Sequence, residues 1–227
     1  MIPDLSIVIV AGGSGRRFGG DKLLFELDGL PVFLHSVKRF LPLAVPGKLT
    51  VVYPKGRGEE FTKCAEHFLP GEKIVWVEGG AIRTDSVRNG LEAIEPKTGI
   101  VAIHDAARPL ASVDLLERLV AETRRCGGAI PGKIVTDTLK RCKESNLIEE
   151  TVSRTGLWRV ETPQVFHLAQ LYRAYRQNPG ADFSDDAGIY TYAGFTCAVL
   201  DNPDDNTKIT YFNDIAKVEK QLRELRK

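Results

Sequence analysis

Hydrophobic positions along the chain fall into short runs, separated by segments with a helical stripe. "LSIVIVA" (5–11), "KLTVVYP" (48–54), "KIVWVE" (73–78) and "GIVAIHD" (99–105) are rich in Val and Ile. Several lack strict polar alternation, as expected of strands buried on both faces. Between them, "PVFLHSVKRFL" puts Phe33, Val37, Phe40 and Leu41 on one face, with Pro31 suited to a first helical turn. "TDSVRNGLEAI" gathers Val87, Leu91 and Ile94 behind Thr84 as the expected N-cap. "SVDLLERLVAE" gathers Leu115, Leu116, Leu119 and Val120 behind Ser112. The alternation predicts an α/β fold: a mostly parallel, Rossmann-like sheet with helices on both faces, joined by right-handed crossovers.

Residues 133–154 break the rhythm. "KIVTDTLKRCKESNLIEETVSR" has two strand-like arms around the polar turn "KESN", which predicts a protruding β-hairpin with arms of about eight residues, reaching roughly 25 Å. An isolated two-stranded ribbon is marginal by itself, so it must lean on its own subunit or on another. A helix around "LAQLYRAYRQ", a strand around "GFTCAVL" (194–200) and a last helix from Asn213 complete the pattern. No repeat or low-complexity segment interrupts it, and one domain over 1–227 is expected.

Composition narrows the classes. Apolar residues make up 43% and charged residues 27%, ordinary for a globular chain, and 31 basic against 30 acidic residues leave a formal charge of +1. Nothing global recruits nucleic acid or a membrane surface, so cation clusters must be read locally. The N-terminal run lacks a signal-peptide pattern and is too short to span a bilayer. Cys64, Cys126, Cys142 and Cys197 show no CxxC spacing, which fits reduced thiols in a cytoplasmic protein. The four histidines are scattered, so no zinc site is expected.

The first strand runs into "AGGSGRRFGGDK". Ligands of open parallel sheets bind beyond the carboxyl ends of the strands. Gly12, Gly13 and Gly15 lack Cβ atoms and let a ligand approach main-chain N–H groups, while Arg16, Arg17 and Lys22 add charge. That combination points to a polyphosphate. The P-loop pattern fails, because Asp21 precedes Lys22 and Leu23 follows it. The dinucleotide fingerprint is half met: Phe18 stands at its third glycine, and no acid ends the second strand.

"VAGGSGRRFGGDK" resembles the signature loop of nucleotidyltransferases. With "GGAIRTDSV" (79–87), "HDAARP" (104–109), "DTLKR" (137–141), "RTGLW" (154–158), "TPQVF" (162–166), "SDDAG" (184–188) and "DNTKIT" (205–210), nearly the whole chain is similar to the 2-C-methyl-D-erythritol 4-phosphate cytidylyltransferase family. Asp21 and Leu23 depart from the Pro and Gln usual around the lysine, and Ser184 stands where threonine is common.

The resemblance implies transfer of CMP from CTP to methylerythritol 4-phosphate with release of pyrophosphate. A pentitol phosphate such as ribitol 5-phosphate is the alternative acceptor, and a nucleotide-binding regulator without catalysis is the alternative class. It implies that Arg17 and Lys22 contact the triphosphate, and that Ala11, Gly12, Gly13, Ser14 and Gly15 cradle ribose and phosphates. Gly80 and Ser86 would read cytosine. Arg154 and Lys208 would orient the alcohol phosphate, helped by Arg108, Thr138, Thr162 and Ser184. Asp105 would meet a substrate hydroxyl or Mg²⁺, an ion held mainly through CTP phosphates. The hairpin would embrace a second subunit and complete its site, making a homodimer. Without the resemblance, Arg154 and Lys208 read as solvated cations, Ser86 as a first-turn helix serine and Asp105 as a cap of the "AARP" turn.

Overall fold

The computed structural model describes residues 1–12, 17–180 and 182–225. In chain order, β1 (Leu5–Val10), β2 (Glu26–Leu27) and β3 (Leu30–Pro31) lead into α1 (Val32–Phe40). Then come β4 (Leu49–Tyr53), α2 (Gly58–Phe68), β5 (Ile74–Glu78), α3 (Arg83–Glu92), β6 (Ile100–Asp105), α4 (Val113–Cys126) and β7 (Gly128–Ile134). The rest of the chain forms β8 (Leu139–Cys142), β9 (Ile148–Val152), β10 (Trp158–Val160), β11 (Gln164–His167), α5 (Leu168–Gln177), α6 (Asp186–Tyr192), β12 (Ala198–Asp201) and α7 (Asp214–Glu224).

The main sheet has the order β10-β7-β11-β6-β1-β4-β5, with β12 also paired to β7. β6, β1, β4 and β5 run parallel; β11 enters antiparallel between β6 and β7, and β10 pairs antiparallel with β7. Side chains alternate across the sheet with period two. Ile7 and Ile9 of β1 pack on the face covered by α1, α2, α4 and α7, with Phe33, Phe61, Leu116 and Val218 among its buried residues. Val8 and Val10 face α3, α5 and α6, with Leu91, Leu171 and Tyr190. β1 and β6 are buried at every position, which is why they read as unbroken apolar runs.

Two local expectations need correcting. Thr84 does not cap α3: the helix begins at Arg83, Ile82 occupies the cap position without a side-chain bond, and Thr84 is buried inside the first turn. Ser112 does cap α4, accepting from the Leu115 amide at 3.1 Å. The hairpin is also shorter than its arms suggested. Lys133 and Ile134 belong to β7, paired with Arg159 and Trp158, so the ribbon proper pairs only Leu139–Cys142 with Ile148–Val152. At about 3.3 Å per residue it reaches roughly 15 Å. It forms a sheet of its own, and every residue from 140 to 151 is exposed.

β7, β10, β11, α2 and α6 were not among the elements read from the pattern. In "GAIPGKI", one proline and two glycines demote the run as a strand. The glycines are there for contact: a Cβ on Gly128 would meet the Phe166 ring at 2.8 Å, and one on Gly132 would meet Val199 at 3.0 Å. Among the described residues, no helix is long and apolar enough to cross a membrane.

Candidate active site

The carboxyl ends of β1 and β6 are neighbours in register, Val10 opposite Asp105. Asp105 ends its strand with its carboxylate between two cations: Lys208 Nζ lies 2.6 Å from Oδ2 and Arg83 Nε lies 3.3 Å from Oδ1. Burial pushes the Asp105 carboxyl up, but Arg83, Lys208 and Arg108 together hold it well below the usual carboxylate range. Lys22 approaches from the other side and donates to the Ile209 carbonyl at 2.8 Å. Burial lowers the Lys22 pKa, and Lys208 lowers it further. One short segment therefore gathers two lysines beside one acid.

Two cavities meet at this acid. A small one of about 90 Å³ is lined by Ala11, Gly12, Lys22, Arg83, Asp105 and Lys208. A larger one of about 270 Å³ is lined by Arg83, Asp105, Arg108, Thr162, Ser184 and Lys208. Arg83, Asp105 and Lys208 form the wall between them.

The floor is held by a buried polar chain. Thr162 Oγ1 accepts from the Asp105 amide at 3.0 Å and faces His104 Nδ1 at 3.1 Å. His104 Nε2 lies 3.2 Å from the Arg108 carbonyl, which only accepts, so this nitrogen carries the proton and Nδ1 accepts from Thr162. Burial lowers the His104 pKa to about 3, so the ring is neutral. Arg108 is placed by its own bond to the Asn206 carbonyl, 2.7 Å away.

The cavities thus bring together Ala11, Gly12, Lys22, Asp105, Arg108, Thr162, Ser184 and Lys208. Ser86 sits beside Gly12 but is engaged with Gly80. The Ser86 hydroxyl accepts from the Gly80 amide and donates to the Ile82 carbonyl, both at 3.1 Å, and the side chain is buried. A Cβ on Gly80 would fall 2.2 Å from Asp85 Cβ, so the turn demands glycine. Arg17 is exposed, with its guanidinium 5.9 Å from the Tyr211 ring centre. Thr138 and Arg154 are exposed at the base of the ribbon and line neither cavity; Arg154 donates to the Thr136 carbonyl. Gly13, Ser14, Gly15 and Arg16 lie outside the described residues.

Arg83 was missed although it lies inside the quoted "GGAIRTDSV" stretch. Its spacing resembles that of any first-turn helix arginine, and only the fold brings it to Asp105. Asp105 does not fit a direct metal-ligand role as it stands, because both oxygens face cations. Among the described residues, no group of three or more His, Cys, Asp or Glu side chains is arranged to hold a metal.

Comparison with known proteins bears on the family and the fold. The chain is 40% identical to the bifunctional enzyme IspD/IspF of Rhodospirillum rubrum over 223 residues, which is 96% of this chain and 57% of that protein. It thus spans little more than half the length of that relative. It is 40% identical to the 2-C-methyl-D-erythritol 4-phosphate cytidylyltransferase of a Cereibacter sphaeroides strain, over 95% of both chains. The crystal structure of the Thermus thermophilus protein of that name superposes with a TM-score of 0.79 at 27% identity, covering 97% of this chain and 99% of the other. The 2-C-methyl-D-erythritol 4-phosphate cytidylyltransferase (IspD) family profile matches residues 5–224, and the chain belongs to that family.

Proposed function

We propose that this chain transfers CMP from CTP to 2-C-methyl-D-erythritol 4-phosphate, giving 4-diphosphocytidyl-2-C-methyl-D-erythritol and pyrophosphate in isoprenoid precursor synthesis. The observation that carries the reading is the wall of Arg83, Asp105 and Lys208 between two cavities, with Lys22 on one side and Arg108 on the other. One cavity, lined by Ala11, Gly12 and Lys22, is read as the place of the triphosphate. The other, lined by Arg108, Thr162 and Ser184, suits an alcohol phosphate.

Chemically, a phosphate oxygen of the alcohol phosphate attacks the α-phosphorus of CTP. A new P–O bond forms as the bond to the β-phosphate oxygen breaks, and pyrophosphate leaves with its electron pair. Both reactants are anions, and the attacking phosphate is already ionised. Positioning and charge stabilisation therefore carry the rate, not a strong base. Lys22 and Arg17 neutralise the triphosphate, and Lys208 and Arg108 receive the second phosphate. Mg²⁺ would be held mainly by the triphosphate's own oxygens and would neutralise part of their charge.

Residues 1–227 are read as one nucleotidyltransferase domain that works as a cytoplasmic homodimer. The exposed ribbon within 133–154 supports this reading, because Arg154 and Thr138 line neither cavity of their own chain and a second copy gives them one to complete. No nucleic acid or membrane partner is required.

The test is pyrophosphate release with CTP and methylerythritol phosphate, set against CTP and ribitol 5-phosphate. Release with the first alone supports the proposal. Release with the second alone selects the pentitol enzyme, and CTP binding without release selects a regulator.

A further inference from the structure

Arg83 has two carboxylate partners, and they lie in different kinds of surroundings. Asp105 lines both cavities, whereas Asp186 has no exposed surface at all. Arg83 Nη2 lies 2.7 Å from Asp186 Oδ2, and Tyr175 donates to Asp186 Oδ1 at 2.6 Å. The Asp186 backbone is fixed just as firmly. Its amide and that of Ala187 donate to Gln164 Oε1 at 3.1 and 3.0 Å, and Asp185 caps the same helix by accepting from the Gly188 amide at 3.0 Å. Gln164 closes the loop by donating to Asp185 Oδ2 at 2.9 Å.

A buried Asp–Arg pair is often only a feature of the fold, and such pairs are weak evidence of function. This one does not stop in the core. The rigid guanidinium fork is split, with Nη2 on the core acid and Nε on the cavity acid, and Asp105 in turn holds Lys208 at 2.6 Å. The series Tyr175–Asp186–Arg83–Asp105–Lys208 runs without a gap from α5 to the rim of the substrate cavity. Burial works against the Arg83 charge, yet Asp186 and Asp105 raise its pKa above the ordinary value, so the cation is permanent.

Resting on the activity proposed above, we infer that Asp186, backed by Tyr175, is a positioning residue: by occupying one side of the Arg83 fork it limits Arg83 to a single contact with Asp105, and so leaves Asp105 Oδ2 for Lys208. A free guanidinium prefers to grip one carboxylate with two parallel bonds. With Asp186 neutralised, Arg83 swings to pair both ways with Asp105 and displaces Lys208 from its place at the alcohol-phosphate cavity.

The experiment uses the full chain and the variants Asp186→Asn, Tyr175→Phe, Asp105→Asn and Asp186→Asn/Asp105→Asn. Steady-state pyrophosphate release, thermal midpoints and a crystal structure of Asp186→Asn are the readouts. Asp186→Asn is expected to raise KM for methylerythritol phosphate roughly 10-fold, the scale of a displaced charged contact, with KM for CTP within about twofold. In the Asp105→Asn background the same change is expected to add nothing, because its effect travels through that carboxylate. A lowered thermal midpoint with both KM values and kcat unchanged would overturn the inference, as would an undiminished effect in the Asp105→Asn background. If Asp186→Asn does not fold, Tyr175→Phe must show the same KM pattern, about 2- to 5-fold in size, and its absence counts equally against the idea. A chain that releases no pyrophosphate at all overturns the activity and leaves the inference to the crystal structures. There, a Lys208–Asp105 contact that opens beyond 4 Å in Asp186→Asn, or failing that in Tyr175→Phe, supports it, and a contact unchanged at 2.6 Å sinks it.

Discussion

Lys208 and Asp105 lie 103 residues apart in sequence and 2.6 Å apart in space, and their ion pair stands where two cavities meet. The lysine side chain is about two-fifths exposed and the acid is nearly covered, so the lysine is the partner free to turn toward an incoming phosphate. Lys208→Gln should therefore raise KM for the alcohol phosphate by roughly 10- to 100-fold, the range of a charged hydrogen bond. KM for CTP should move less. Steady-state kinetics with each substrate varied in turn decides it, and a loss confined to CTP would reassign the residue.

Lys22 differs, because its amine is half-buried and reaches the Ile209 carbonyl beside the same acid. Under the proposed reaction, its charge would meet the triphosphate most strongly as negative charge builds in the transition state. Lys22→Ala should lower kcat at least roughly 100-fold, the scale of one lost electrostatic contact of that kind, and change Michaelis constants less. Unchanged kcat with a raised KM for CTP would mean that the lysine only binds.

Arg154 and Thr138 occupy the base of a ribbon whose paired residues are all at least partly exposed. Replacing 139–152 by a short Gly-Ser turn should convert a dimer to a monomer and abolish activity together. Light scattering and pyrophosphate release on the same preparation test this. A monomer that keeps its activity would remove the ribbon from the site.

His104 gives a pH signature. Burial lowers its pKa from 6.5 to about 3, so below about pH 6.5 the unfolded chain binds a proton that the folded chain refuses. Stability should be unaffected by this group above that pH. It should then fall as pH drops toward 3, by up to about 1.4 kcal/mol per pH unit. Asp105, held low in the fold by Arg83 and Lys208 against its burial, adds acid sensitivity of the same sign at lower pH. The urea midpoint should be lower at pH 5 than at pH 7. An NMR titration placing the folded His104 ring near 6.5 would contradict the assignment.

Gly128 tests the packing behind the site. An added methyl there would press on the Phe166 ring at 2.8 Å and on Tyr190 at 3.0 Å, both fully buried. Gly128→Ala should cost about 1–3 kcal/mol by overpacking, with kinetic constants little changed. A denaturant melt at neutral pH reads the loss directly.

Much of this architecture is legible in the chain because its cause is local. β1, β4 and β6 are near-continuous apolar runs covered on both faces, and β5, half-buried at the sheet edge, is still marked by its Val and Ile residues. The stripes of α1, α3 and α4 name buried residues, save that Leu41 lies past the end of α1 and is half-buried, and Ser112 announces a helix start by its chemistry. The positions of Lys22, Asp105 and Lys208 at a common edge followed from strand ends and from motif resemblance. β7 escaped because its proline and two glycines demote the run, and β10 and β11 because three or four residues carry too little pattern; all three become strands through neighbours distant in sequence.

Sequence alone determined the class of fold and the strand edge where glycine and cationic residues gather, since periodicity, glycine and charge act over a few residues. Tertiary structure alone decided which charges meet. The Asp105 carboxylate is shared by residues 22 positions before it and 103 after it, and the acid that steadies Arg83 lies 103 residues beyond that arginine. Electrostatic contact falls off over a few ångströms of space and is indifferent to separation along the chain, so no spacing in the sequence could announce it.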